Sequence, residues 1–105
     1  MKEYEVLERI IKDIRKKRIA DPNQSYIAKM FNKGHNKIVQ KFGEEAVELV
    51  IEAALGERKK TISEASDMIF HFLLLLEDAG IELKEVLAMM ESREGISGLE
   101  EKKQR

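Results

Sequence analysis

The sequence predicts an all-α bundle of about four to five helices. Three observations predict it. Apolar residues recur at spacings of three and four in successive segments, the period of one helix face. No stretch shows the alternation of a half-buried strand. Gly34, Gly56, Gly80 and the single proline, Pro22, fall between the periodic segments, where chain breakers belong.

Val6, Leu7, Ile10, Ile11 and Ile14 form an apolar stripe that predicts a helix from Tyr4 to about Ala20. "ADPNQS" stops it, because Asp-Pro-Asn is turn chemistry. Ser25 is placed to cap a short helix, "SYIAKMFNK", ending at Gly34. A long helix follows from about His35 to Leu55, with Phe42, Ala46, Leu49, Val50 and Ala53 as its core face. "GERKK" links it to the next. Thr61 followed by Glu64 is a capping-box pattern that predicts a helix start there, closed by Gly80. Glu82 to about Arg93 makes the last helix, with Leu83, Val86, Leu87 and Met90 inside. Residues 1–93 therefore read as a single domain, and 94–105 as a charged, mobile C-terminal tail.

The composition narrows the function. A formal net charge of −1 over 105 residues gives no basic field for nucleic acid. The absence of cysteine removes disulfides, thiolate metal sites and Cys nucleophiles, and fits a reducing cytoplasm. Residues 1–17 are too charged for a signal peptide. The longest apolar run, Met68 to Leu76, is about half a membrane span and is interrupted by His71, so no membrane partner is expected. That run offers more apolar surface than one small bundle readily hides, which predicts a homodimer or higher homo-oligomer.

The informative chemistry is acidic. Glu45 and Glu48 share a helix face, with Glu44 beside them and Glu52 a turn on. Glu64 and Asp67 repeat the spacing on the next helix. A short connection makes consecutive helices antiparallel, so the two pairs can face each other at comparable heights. Carboxylates at close range either gain protons or share a cation. All-oxygen ligation selects Mg²⁺, with Mn²⁺ as a substitute, and an open Mg²⁺ position takes phosphate oxygens. A lone ExxE is more often a solvated helix face. Here both pairs abut apolar stretches, where stray acids are costly. A di-iron carboxylate site fails, because neither His35 nor His71 has Glu three residues before it. His71 falls on the face of Glu64 and Asp67, either behind Asp67 as its orienting partner or as a core histidine satisfied by a backbone carbonyl. Lys37 and Lys41 precede Glu45 on roughly the acidic face, and Lys29 and Lys33 come from the short helix before it. They are candidates for contacting phosphates.

These residues resemble a known family. "GEEAVELV" followed by "SEASDMIFH" is similar to the EExxE…ExxD signature of MazG-type all-α nucleotide pyrophosphohydrolases. "SYIAKMFNKGHNKIVQKFGEEAVELVIEA" and "EASDMIFHFLLLLEDAGIELKEVL" resemble, more specifically, the phosphoribosyl-ATP pyrophosphohydrolases of histidine biosynthesis, over about Leu7 to Arg93. The resemblance implies a MazG-like bundle, a homodimer, and Mg²⁺-dependent hydrolysis of phosphoribosyl-ATP, a small nucleotide, to phosphoribosyl-AMP and pyrophosphate. It implies Glu45, Glu48, Glu64 and Asp67 as metal ligands, with Glu44 as a catalytic helper. Ser25, Tyr26, Lys29, Lys33, Lys37 and Lys41 are the matching candidates for substrate contact. The rivals are a MazG-type enzyme that clears non-standard nucleoside triphosphates and, more distantly, a non-catalytic helical interaction module.

Overall fold

A computed structural model describes residues 2–96 and 98. The helices are α1 (Glu5–Lys17), α2 (Tyr26–Lys33), α3 (His35–Leu55), α4 (Arg58–Ala79) and α5 (Leu83–Ser92), with no strand among the described residues. α1 carries Glu5 and Glu8 in its first turn and Arg15, Lys16 and Lys17 in its last, an order that suits the helix dipole. It ends before the predicted Ala20, because Asp21 starts a turn in which its Oδ1 accepts from the Asn23 amide at 3.0 Å. Ser25 caps α2, its Oγ accepting from the Ala28 amide at 3.2 Å. Gly34, at φ 97°, ends α2 and starts α3 in one residue, a conformation that a side chain would strain.

α4 begins at Arg58, earlier than the predicted start at Thr61. The Thr61 hydroxyl donates to the Glu57 carbonyl at 2.7 Å, so this threonine bonds back into the helix instead of capping it. A capping box does occur, but at α5, where the Glu82 amide donates to the Glu85 carboxylate at 2.8 Å. Beyond α5, Ile96 donates its amide to the Arg93 carbonyl at 3.2 Å. Most of the predicted tail, residues 97 and 99–105, lies outside the described residues.

Ile14, Ile27, Met30, Ile38, Leu73 and Leu74 form the core. α3 and α4 pack as an antiparallel hairpin joined through Gly56, whose left-handed conformation closes α3. α1 lies parallel to α4. Val6 and Ile69 line one cleft between them, and further along Arg15 Nε donates to Glu77 Oε1 at 2.8 Å. The tip of the α3–α4 hairpin therefore projects past the start of α1. The radius of gyration is 16.0 Å, where a compact domain of this length has about 13 Å.

Three features of the apolar pattern differ from the prediction. Leu87 and Met90 of α5, expected inside, are exposed, and α5 has no buried residue, because it follows the hairpin with little of the bundle packed over it. The Met68–Leu76 run is spent inside this chain: His71, Leu73, Leu74 and Leu76 are buried, and of its large apolar residues only Ile69 is exposed. Uncovered apolar surface lies instead on α3, where Val47, Val50, Ile51 and Leu55 all face outward, and on α5, where Leu87, Met89 and Met90 do. α3 is inverted over its second half. Val50 was expected to face the core and is 66% exposed, whereas Glu45 is 6% exposed. Ile38, Phe42, Glu45 and Glu52 follow one helical face, so the side turned to α4 changes from apolar to acidic along its length.

Candidate active site

The acidic half of that seam brings together three carboxylates. Glu45 and Glu48 of α3 and Glu64 of α4 each offer an oxygen within 4.8 Å of the others. Helix geometry explains it. Glu45 and Glu48 are one turn apart, and Glu64 sits on the stripe of α4 that includes Thr61, Ala65 and Met68, all partly buried. Glu45 is buried, Glu64 half-buried and Glu48 exposed. Oε2 of Glu45 and Oε2 of Glu64 are both buried with no hydrogen-bond partner. Buried carboxylate oxygens left orphaned are costly, and these two fit a hard divalent cation, which takes oxygen ligands.

Asp67 is exposed and is not part of this close group. Its charge nonetheless raises both Glu64 and the Tyr26 phenol. Asp67 also lines a cleft of about 440 Å³ between α1 and α4, with Leu7, Ile10, Phe70 and Leu73 as apolar walls. Glu44 is exposed and accepts from Gln40 Nε2 at 3.2 Å. Glu52, noted in the sequence a turn on from Glu48 but given no role, has an Oε2 that is also buried and unpartnered. The signal was its spacing, four residues after Glu48 and seven after Glu45, which keeps it on the acidic face.

The carboxylates do not respond alike. Burial pushes the Glu64 carboxyl up, and hydrogen bonding and charge from Glu48 push it further. Burial also pushes Glu45 up, but a hydrogen bond and charge from Lys41, with smaller contributions from Glu48 and His71, outweigh it and hold Glu45 below the usual carboxylate range. Lys41 Nζ stands 3.2 Å from Glu45 Oε1. The cation that relieves Glu45 in the metal-free chain is thus one of the chain's own lysines.

The basic and aromatic candidates divide in the same way. Lys29 and Lys33 are exposed and Lys37 is half-buried. The ion pairs of the described residues include Lys41 but none of these three. His71 is buried and both its ring nitrogens are engaged. Nδ1 bonds the Asp67 backbone carbonyl at 2.7 Å, and Nε2 bonds the Tyr26 hydroxyl at 2.8 Å. A carbonyl only accepts, so Nδ1 carries a proton, and in the neutral imidazole Nε2 then accepts from the Tyr26 hydroxyl. His71 therefore holds Tyr26 and its own helix backbone, and its nitrogens do not reach the Asp67 carboxylate. Phe70 packs edge-on against His71 at 5.3 Å between ring centroids and flanks Tyr26 at 6.3 Å. Burial raises the Tyr26 phenol, as do the charges of Glu45, Asp67 and Glu44, so its hydroxyl stands within the field of the acidic cluster. Ser25 serves as the α2 cap that sets Tyr26 in place. His35 lies at the other end of α3, paired with Asp78 at 2.5 Å.

The chain is similar to curated proteins named phosphoribosyl-ATP pyrophosphatase. One from Cereibacter sphaeroides is 48% identical over 97 residues, covering 92% of this chain and 94% of the relative. One from Rhizorhabdus wittichii is 49% identical over 96 residues, covering 91% of each. One from Dinoroseobacter shibae is 49% identical over 100 residues, covering 95% of this chain and 98% of the relative. The family model for phosphoribosyl-ATP pyrophosphohydrolase matches residues 6–94, a span that contains the whole carboxylate cluster, Tyr26, Lys41 and His71, and the chain belongs to that family.

Proposed function

We propose that the chain hydrolyses phosphoribosyl-ATP to phosphoribosyl-AMP and pyrophosphate, using Mg²⁺ or Mn²⁺ held by Glu45, Glu48 and Glu64, with Asp67 as a further ligand. The observation that carries this reading is the trio of converging carboxylates, two of them with a buried, orphaned oxygen, in a member of this family. A bound divalent ion supplies polarisation of the α–β phosphoanhydride and neutralises the departing pyrophosphate. The chain's own groups do the rest. Water adds to the α-phosphorus, the bond to the bridging oxygen breaks, and the water's proton passes to a carboxylate not fully engaged with metal. Glu44 is the candidate for this role, being exposed beside the cluster. Lys29, Lys33, Lys37 and Lys41 are assigned to the phosphates, and the Tyr26 hydroxyl, pinned by His71, offers its lone pairs to donors on the nucleotide. The apolar cleft that reaches Asp67 gives the nucleoside room beside the acids.

The test is a pyrophosphate-release assay with phosphoribosyl-ATP and a panel of ordinary and damaged nucleoside triphosphates. Release from phosphoribosyl-ATP well above the panel is expected. Preferential turnover of a nucleoside triphosphate would transfer the site to the house-cleaning pyrophosphohydrolases. Release from none would leave a helical interaction module as the better account.

The assembly belongs to the same reading. Val47, Val50, Ile51 and Leu55 make an outward stripe at helical spacing on α3. A second copy of the chain is the occupant proposed for it, on the part of the hairpin that α1 leaves uncovered. Sedimentation at micromolar concentration is expected to give a dimer or larger species, and a monomer would count against it. No helix among the described residues is long and apolar enough to cross a membrane. A cytoplasmic location, which the cysteine-free composition fits, is part of the proposal.

A further inference from the structure

Lys41 reaches inward. Its side chain is 32% exposed, yet its ammonium lies 3.2 Å from a Glu45 carboxylate that is only 8% exposed. The order of the pair, Lys one turn before Glu, is the weaker arrangement on an isolated helix. Ordinary surface pairing therefore gives little reason for the contact. Glu45 uses one oxygen for the lysine, and its other oxygen, Oε2, is buried with no partner. The same carboxylate is one of the three that converge. A divalent ion held by these carboxylates would share Glu45 with the ammonium, and like charges on one carboxylate repel.

We propose that Lys41 is the resident cation of the metal-free cluster, that it competes with the divalent ion for Glu45, and that binding of the ion releases its ammonium toward the phosphates of the nucleotide. The lysine keeps its charge in both states, and only its partner changes. The competition stands on the contact alone, whereas the hand-over to phosphate rests on the hydrolase reading. The arrangement keeps a buried carboxylate paired when no metal is present, at a cost in metal affinity.

The experiment is Mn²⁺ titration by calorimetry at pH 7.5, without nucleotide, on wild type, Lys41→Met, Lys41→Gln and Lys37→Met. Lys37→Met removes an equal charge one turn earlier on α3. Both Lys41 variants are expected to bind Mn²⁺ about fourfold or more tightly than wild type, the effect of removing one nearby positive charge in a salt-screened site. Lys37→Met should change the affinity less than about twofold. In parallel, KM for phosphoribosyl-ATP should rise in the Lys41 variants, opposite in direction to the metal affinity, a split that a merely structural lysine would not produce. Unchanged or weaker Mn²⁺ binding in the Lys41 variants overturns the proposal, as does an equal gain in Lys37→Met. The titration needs no turnover, so it decides the competition even if phosphoribosyl-ATP proves not to be the substrate.

Discussion

Glu48→Gln is expected to lower kcat about a thousandfold while leaving KM within a few-fold of wild type. Glu48 is the middle member of the cluster, with a carboxylate oxygen within 4.8 Å of oxygens of both Glu45 and Glu64. It is also exposed, so the nearly isosteric amide should fold normally. A lost ligand charge weakens the polarisation felt in the transition state, and roughly 4 kcal/mol of that stabilisation is three powers of ten in rate. Lys33→Ala should behave differently. A lysine that holds phosphate equally in ground and transition states raises KM with little change in kcat. The check is steady-state kinetics of pyrophosphate release at saturating Mg²⁺. Exchange of the two patterns would refute the role assignment.

Two carboxylates of one cluster should shift stability in opposite directions when neutralised in the metal-free protein. The Glu64 carboxyl is raised, so it stabilises the fold fully below its unfolded pKa of about 4, and that contribution is lost as pH rises through the folded value. At pH 7 its ionised form is a net penalty. Glu64→Gln should melt at the same temperature as wild type or higher in EDTA. Glu45 is lowered, so its contribution is present above the unfolded pKa and is lost as pH falls through the folded value. Glu45→Gln should therefore melt lower at pH 7 and approach wild type in acid. Mg²⁺ should raise the wild type by RT ln(1 + [L]/Kd), about 2.7 kcal/mol at a hundredfold Kd, and should raise both variants much less. Thermal melts of the three proteins in EDTA and in millimolar Mg²⁺ read all of this. If both variants lose stability equally in EDTA and gain equally with Mg²⁺, the acids act as separate surface groups.

The fold was largely legible because its punctuation is local. Gly34, Gly56 and Gly80 close helices where the sequence places them, and Ser25 caps α2 by its own side chain. The start of α4 was not, since Thr61 satisfies the capping pattern on paper and spends its hydroxyl on the Glu57 carbonyl. Periodicity also misjudged which side of α3 faces in. The rule that apolar residues are buried favoured Val50, and here the seam holds Glu45 while Val50 faces out. Only a reason to bury acid, a shared cation, reverses that rule, and periodicity carries no information about cations. For the site, the i, i+3 acids of each helix were readable; of the two pairs expected to face each other, Glu45, Glu48 and Glu64 come together and Asp67 does not. The rotation of α4 that seats Glu64 in the close group and leaves Asp67 at its edge depends on packing beneath, including Phe42 against Phe72 at 5.9 Å between centroids. Of the two readings of His71, the buried histidine satisfied by a backbone carbonyl matches its Nδ1 contact with the Asp67 carbonyl; the partner of Nε2, Tyr26, is 45 residues away and was not readable.

Glu45, Glu48 and Glu64 are proposed to hold a divalent ion between α3 and α4. Diffraction from Mn²⁺-soaked crystals, with data collected at the manganese edge, tests it most directly. The account predicts an anomalous peak bonded to oxygens of Glu45, Glu48 and Glu64, with the Lys41 ammonium moved off Glu45. Manganese bound elsewhere, or a cluster with no peak and the Lys41–Glu45 contact intact at saturating Mn²⁺, would contradict it.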